Sequence, residues 1–582
     1  MNKVYFIPWR FYLILVLIAI ASIGVIWRVF DLTILDQTFL RRQGDERVLR
    51  LVSTHAHRGM VLDRNGYPLA VSTKVFSAWM NPLEFAPTKE DTAKLGELLG
   101  MKPKQLTAFI KRYQDSDKEF IYIKRALSPQ VAAQIKALQI PGLYLQEAFK
   151  RYYPEGEVTA HVIGFTNVDD RGQEGLELAY NEWLEGDQGK KWVIKDRLGR
   201  VISNVQMIQK QQPGRDIVLS IDRRIQYLAY RELLAGVQEN QATSGTAIVM
   251  DTHTGEILAM VNQPSYNPNN RSAGVSEMLR NRAVTDTFEP GSTIKAFSVA
   301  SALDSGRFKP DTVINTYPGW LRVGRNIVRD VHEKGPMTVT QILQKSSNVG
   351  VTKMILALPP NQLWQLLHRV GFGDVTGIGF PGERSGSLAK REVWGAFTLA
   401  TLAFGYGVSV TPLQLARAYS AIANDGVKLP VSLLKVDKPP TGERVMTSKI
   451  ARQMQLLLES VVNKGGTAEQ ASVPGYRVAG KTGTTVKVKA GERGYDKHRY
   501  VSTFVGMAPL SQPRIVVAVV IHDPRGKYYY GGQVAGPIFE RIMEGTLRIL
   551  DVAPDNVDPN ASAQTAAAHT VKATKPMEAV DI

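Results

Sequence analysis

Phe288-Glu289-Pro290-Gly291-Ser292-Thr293-Ile294-Lys295 is the stretch on which the reading of this chain turns. Pro290 and Gly291 interrupt the backbone. Ser292 to Leu303 then has helical spacing, with Ile294, Phe297 and Ala300 on one face. Ser292 and Lys295 are three residues apart, so their side chains are neighbours on such a helix. A serine hydroxyl becomes a useful nucleophile when a base takes its proton. A lysine can be that base when it is neutral, and burial or nearby positive charge lowers its pKa toward that state. Ser292 falls near the helix N-terminus, where the dipole favours developing negative charge.

Ser-x-x-Lys also occurs at Ser387–Lys390 and Ser432–Lys435, and a solvated pair is the ordinary outcome of such spacing. Only Ser292 precedes two further segments of the right chemistry. Lys345-Ser346-Ser347-Asn348 supplies a second hydroxyl and an amide. Val478-Ala479-Gly480-Lys481-Thr482-Gly483-Thr484 supplies a second lysine on a strand of small residues. Ser292, Lys295, Ser346, Asn348 and Lys481 are therefore the candidate catalytic residues.

The chain has 582 residues, which predicts two or three domains, and its 44% hydrophobic share allows sizeable cores. The formal net charge of +17 favours anionic partners such as lipid headgroups or an acidic polymer. No nucleic-acid-binding signature accompanies the charge, so nucleic acid is not an expected partner. The absence of cysteine excludes disulfides and thiolate metal sites without fixing the compartment. The nine histidines are scattered and no His-Glu-x-x-His occurs, so neither a metal nor another cofactor is expected.

Phe11 to Trp27 is uncharged and strongly apolar. As a helix it is about 26 Å long, and the flanking Trp9, Arg10, Arg28 and Phe30 extend it enough to span a bilayer core. Ala19-Ile20-Ala21 could end a cleaved signal peptide, but Ile23 to Trp27 continue the run and favour a retained anchor. The flanking charges leave orientation open. Lys3 and Arg10 precede the span, while Arg28, Arg41, Arg42, Arg47 and Arg50 follow it, against an outside C-terminus. The expected order is a stub (1–10), an anchor (11–30), a charged, helix-compatible stalk (31–54), a β-rich pedestal (55–214), a second domain (215–550) and a disordered tail (551–582).

Within the pedestal, Val61-Leu62 runs into an Asn65-Gly66 turn, which predicts a hairpin. Residues 88–112 and 128–139 read as amphipathic helices. No nucleophile–base pair stands out there, so a scaffold or docking role is expected. After Pro213-Gly214, strands at Ile217–Ile221, Thr246–Met250, Glu256–Val261, Val501–Met507 and Arg514–His522 alternate with bunched helices, the last at Val534–Leu550. That order predicts an α+β domain, an antiparallel sheet flanked by helices.

Ser-x-x-Lys, Ser-x-Asn and Lys-Thr-Gly in this order are shared by penicillin-binding proteins and class A β-lactamases. The chain resembles the class B penicillin-binding proteins over about residues 9–550, and their septal members more than the longer elongation members. Arg58-Gly59 with Asp63-Arg64-Asn65-Gly66, His161 to Gly164, and Gly172 to Glu177 resemble the family's pedestal motifs. Gly405-Tyr406-Gly407, Thr411-Pro412-Leu413-Gln414 and Tyr529-Tyr530-Gly531-Gly532 resemble transpeptidase segments, the last a closing strand motif. The resemblance implies a penicillin-binding/β-lactamase-like transpeptidase domain and a single-pass inner-membrane protein with its bulk in the periplasm. It implies D,D-transpeptidation of peptidoglycan stem peptides ending in D-alanyl-D-alanine, at septum formation, and acylation by β-lactams.

By the same resemblance Ser292 is the nucleophile and Lys295 its base. The backbone N–H groups of Ser292 and Thr484 form the oxyanion hole. Lys481, Thr482, Gly483 and Thr484 meet the substrate carboxylate, and Tyr529 and Tyr530 line the substrate site. Ser346 relays a proton, and Asn348 holds the peptide's amide and Lys295. Implied partners are a polytopic, SEDS-type septal glycosyltransferase (FtsW-like) and other division proteins. Rival readings are an elongation-specific transpeptidase, a D,D-carboxypeptidase or β-lactamase, and a β-lactam-binding sensor or scaffold.

Overall fold

The computed structural model describes residues 8–40, 49–54, 56–114, 118–195, 201–271, 276–489 and 494–556. Most of the expected stub and tail lies outside them. Residues 551–556 are described, and there the expectation of disorder does not hold: the Tyr476 hydroxyl donates to Val552 O at 2.6 Å and Arg477 N–H to Asp555 at 2.7 Å.

Pro8–Phe30 is a helix, and the helical run Trp9–Leu35 has a mean hydropathy of 2.6 in its most apolar window, with none of that window buried. It is long and apolar enough to cross a membrane. Leu49–Thr54, expected to continue a helical stalk, is a strand. It pairs antiparallel with Gly189–Lys195, which pairs in turn with Val201–Gln209. Long-range pairing overrides the local helical compatibility of the charged segment.

The chain divides into two compact units. The smaller contains residues 1–58, 73–150 and 185–214; the larger contains 59–72, 151–184 and 215–582. In the smaller unit, Lys89–Leu99, Pro103–Gln114 and Pro129–Ala137 are helices, and Ala78, Met80, Leu95, Leu99, Leu106, Ile121 and Ile135 share a core. The helix expected over 88–112 is broken at Gly100, which turns left-handed at φ 62°. In the larger unit, Val61, Leu69, Ile163, Leu176 and Leu184 join one core with Ile217 and Leu219. The motifs at 59–66 and 161–177, expected to belong to a separate pedestal, thus fold with the residues after 214. Val61–Leu62 and the start of Pro68–Met80 form the expected hairpin, with Asp63 accepting from Asn65 and Tyr67 N–H at 2.8 Å across the turn.

The elements of the larger unit that position the site are α1 (Arg223–Glu239), β1 (Ser244–Asp251), β2 (Ile257–Gln263), α2 (Lys295–Asp304), the hairpin β3 (Trp320–Val323) and β4 (Asn326–Arg329), α3 (Asn348–Leu356), α4 (Pro412–Ala423), α5 (Ser448–Val462), β5 (Ala479–Val488), β6 (Tyr495–Ala508), β7 (Ile515–His522) and α6 (Gly531–Ile549). Strands run β2-β1-β7-β6-β5, antiparallel throughout. Every residue of β1 and β7 is buried. The run Ile515-Val516-Val517-Ala518-Val519-Val520-Ile521 has apolar side chains for both faces, as a sheet covered on both sides requires. Helices α1 and α6 pack on the sheet, as do α4 and α5. The α+β domain with an antiparallel sheet flanked by helices is as expected.

Candidate active site

The nucleophile stretch enters as one tight turn, Gly291–Ile294, that runs directly into α2. Lys295 N–H donates to Ser292 O, closing that turn. Gly291 is left-handed, at φ 55°, and a Cβ there would come within 2.3 Å of Thr485 Cγ2 on β5. Only glycine permits that approach. The turn is tied down on its other sides as well. Gly291 N–H donates to Gly405 O at 3.1 Å, and the buried Tyr419 hydroxyl on α4 donates to Thr293 O at 2.7 Å. A reciprocal Thr411–Gln414 cap starts α4. The segments Gly405–Gly407 and Thr411–Gln414 therefore brace the nucleophile turn. Ser292 itself is half-buried.

Lys295 is 1% exposed and Lys481 is 0% exposed. Their Nζ atoms converge on one residue. Lys295 donates to Ser346 O at 2.6 Å and to Ser346 Oγ at 3.1 Å. Lys481 donates to the same Ser346 Oγ at 3.1 Å and to Thr482 O and Oγ1 at 3.3 and 3.2 Å. Ser346 has φ 59°, left-handed for a residue with a side chain. Such a conformation costs on the order of 1–3 kcal/mol and persists where the surroundings enforce it.

Burial brings the Lys295 pKa down to about 7, opposed by the carboxylate of Asp330. Burial, reinforced by the charge of Lys295, pushes Lys481 down further. The site therefore resists carrying two protons on its two amines. A neutral amine has two N–H donors and one lone pair. Among the described residues, the side-chain partners of Lys295 are both on Ser346, so its neutral form has a lone pair to spare. Ser346 Oγ accepts from both lysines and keeps its own O–H to donate elsewhere.

Asn348, expected to hold Lys295, does not: its Nδ2 donates to Arg329 O at 2.8 Å at the first turn of α3, while Lys295 is taken up by Ser346. Thr482 Oγ1 lies 3.1 Å from Thr467 Oγ1. Gly483 is buried opposite Thr503 in the β5–β6 register. Thr484 Oγ1 accepts from Gly531 N–H at 2.9 Å. Tyr529 and Tyr530 are 38% and 43% exposed, their hydroxyls 3.2 Å apart, and Tyr529 stacks on Tyr500 at 4.4 Å between centroids. The Tyr-Tyr-Gly-Gly segment, expected on a strand, instead leads into α6 with Tyr530 as its cap. A Cβ on Gly531 would lie 2.3 Å from Thr503 O, so glycine lets the helix start against the sheet.

Three residues here escaped the sequence reading. Asp330 braces the start of α3, Thr467 meets Thr482, and Tyr419 holds Thr293. None carries a motif of its own. Glu289, from the stretch that carries Ser292, accepts from Gly407 N–H at 2.9 Å. Burial raises the Glu289 pKa. Among the described residues no cluster of His, Cys, Asp and Glu could hold a metal ion.

The penicillin-binding protein transpeptidase domain family matches residues 245–544, and the penicillin-binding protein dimerisation domain family matches residues 53–219. This chain belongs to the penicillin-binding protein transpeptidase family. It is 44% identical over 555 residues to the peptidoglycan D,D-transpeptidase FtsI of Escherichia coli K12, covering 94% of this chain and 93% of that one. The transpeptidase domain of Burkholderia pseudomallei penicillin-binding protein 3 aligns with a TM-score of 0.54 at 44% identity, over 58% of this chain and 97% of that one. Penicillin-binding protein 3 of Mycobacterium tuberculosis complexed with aztreonam aligns with a TM-score of 0.68 at 27% identity, over 86% and 98%.

Proposed function

We propose that this protein is a peptidoglycan D,D-transpeptidase that crosslinks stem peptides during septal wall synthesis through an acyl-enzyme on Ser292. The observation that carries the reading is the convergence of two buried lysines on the Ser346 hydroxyl, on elements packed against the Ser292 turn. A family match, 44% identity to FtsI and one apolar N-terminal helix support it.

Lys295, neutral in about half of molecules near pH 7, takes the Ser292 proton as the oxygen attacks the carbonyl between the two D-alanines. The backbone N–H groups of Ser292 and Thr484 receive the oxyanion. The arriving carboxylate of the terminal D-alanine compensates the charge of Lys481, restoring its proton, and meets Thr482 and Thr484. Ser346 passes its hydroxyl proton to the leaving nitrogen as the C–N bond breaks. It takes from Lys295 the proton that came from Ser292, leaving Lys295 neutral again. Asn348, and Tyr529 and Tyr530 at the rim, hold the peptide. A side-chain amine of a second stem peptide then attacks the ester, forming the crosslink and returning the hydroxyl to Ser292. A β-lactam enters the first half of this sequence because it presents the same carbonyl and carboxylate.

The N-terminal helix anchors the chain in the inner membrane with the domains in the periplasm, beside a polytopic septal glycosyltransferase and other division proteins. The smaller unit, beyond its apolar helix, acts as a pedestal for docking these partners. Ser292→Ala, purified with the circular dichroism and melting behaviour of the parent, is expected to lose all covalent labelling by a fluorescent penicillin. Retained labelling would remove Ser292 from the nucleophile's role.

A further inference from the structure

The turn at Ser346 has the charge of Lys295 to balance and a strained backbone to hold, and one carboxylate meets both demands. Asp330 follows β4 directly, and its own N–H donates to Gly319 O at 2.9 Å. Its Oδ2 accepts from the Ser347 hydroxyl at 2.6 Å. Its Oδ1 accepts from the backbone N–H groups of Asn348 and, at 2.9 Å, Val349. Ser347 Oγ in turn accepts from Gly350 N–H at 2.9 Å. Three of the four unpaired N–H groups that begin a helix are thus met at α3 by Asp330, directly or through Ser347. The preceding residue, Arg329, accepts the Asn348 side chain through its carbonyl. One two-residue segment therefore holds the middle and last residues of Ser346-Ser347-Asn348, which leaves Ser346 at φ 59° fixed from its C-terminal side.

We propose that Asp330 is a positioning residue for acyl transfer: its carboxylate locks the Ser346–Asn348 turn onto α3 and supplies the negative charge that faces Lys295. This deepens, and rests on, the reading of Ser292 as nucleophile. Asp330 attracts the protonated form of Lys295, making it a stronger base and one that is neutral less often. The groups facing Lys295 are Lys481 from β5, Ser346 from the turn, and Asp330. Charged groups on neighbouring helices are engaged elsewhere: Lys353 of α3 with Asn315 O, Arg452 of α5 with Asp425, and Glu459 of α5 with Arg477. Lys345 is turned away to Gly465 O.

The test measures penicillin acylation rate against pH for the full chain in detergent, with Asp330→Asn, Asp330→Ala and Ser292→Ala in parallel. Asparagine keeps an acceptor for the helix N–H groups and removes the charge. Losing that charge lowers the Lys295 pKa, so the midpoint of the Asp330→Asn profile is expected to move to lower pH by at least about half a unit, which raises the neutral fraction at pH 6 by roughly 2.5-fold relative to the plateau. Asp330→Ala loses the brace as well, and its plateau rate is expected to fall by at least about 100-fold, since the turn and the lysines act as a unit. A helix cap with no other part would change the melting temperature and leave the midpoint in place. An unshifted midpoint in Asp330→Asn, or a parental rate in a folded Asp330→Ala, overturns the proposal. Failure of the underlying reading shows separately, as labelling that survives in Ser292→Ala.

Discussion

Two clusters of buried charge lie in the larger unit, and they solve opposite problems. At Arg151 and Glu177 a guanidinium Nε donates to a carboxylate at 2.6 Å with both side chains about 1% exposed or less, and Arg151 donates again to Ser72 at 3.2 Å. Each charge has its opposite beside it. At Ser346 two equally buried lysines point at one neutral hydroxyl, and the half-buried Asp330 offsets Lys295. A fold gains nothing by desolvating two like charges. The first cluster is what a structure does with charge it must bury; the second is what chemistry demands of a structure, and its cost appears as two lysines pushed down toward neutrality.

The contrast breaks most directly if the two clusters respond alike to truncation. Lys295→Ala is expected to slow penicillin acylation by at least about 10³-fold, because base and nucleophile act together. Its melting temperature should hold or rise, since a desolvated amine has gone. Glu177→Ala should do the reverse. It strands Arg151 in the interior and costs about 3–5 kcal/mol, seen as a lower melting transition, while the acylation rate per folded molecule changes less than about threefold. Rates and melts measured on the same samples settle both.

Acidity separates the lysine site from the surrounding core. Acylation should rise with pH through a midpoint near 7 as Lys295 loses its proton. Stability has a different acid limb. Burial brings His161, whose Nε2 donates to Met278 O at 2.7 Å, down from 6.5 to about 4. The unfolded chain therefore binds the proton more readily between those values. Stability is full above pH 6.5 and falls by up to about 3 kcal/mol as pH drops through 4. Burial brings His522 down to about 4 as well, so chemical denaturation at pH 7 and pH 4.5 should show both losses, and His161→Gln should remove roughly half of the drop without moving the acylation midpoint. A shared midpoint for rate and stability would tie the core around His161 to the lysine site.

The sequence was legible where chemistry repeats at fixed spacing. Ser292, Lys295, Ser346, Asn348 and Lys481 are hydroxyls, amines and an amide in short motifs, and the fold brings Lys295 and Lys481 together on Ser346, with Asn348 bonded to Arg329 O at the start of the next helix. The sheet was legible because runs such as Ile515–Ile521 permit few alternatives. Asp330 was not, because a lone aspartate after a hairpin has no pattern, and only folding brings it to residues 347–349. Leu49–Thr54 was misread because its pairing partner lies 135 or more residues away, and local charge suggested a helix. Tyr529 and Tyr530 were placed on a strand by the family resemblance, and nothing in the residues themselves signalled that a helix starts at Gly531. The close approach to Thr503 that makes Gly531 necessary is visible only in three dimensions.

The smallest effect tests how far the cleft's demands extend into the core behind it. Tyr419 is fully buried, its ring packed edge-on against Phe297 at 5.5 Å, and its hydroxyl has Thr293 O as partner. Tyr419→Phe keeps the ring packing and leaves one carbonyl without its donor. A buried hydrogen bond of this kind contributes about 1 kcal/mol, and a modest drop in melting temperature should report it. If the bond also fixes the Ser292 turn, acylation should slow by a few-fold with the pH midpoint unchanged, because no charge has been altered near Lys295. Were the midpoint to move as well, the pairing of the lysines would depend on the packing of α4 against α2, and the boundary between the cleft and its structural support would have to be drawn further out.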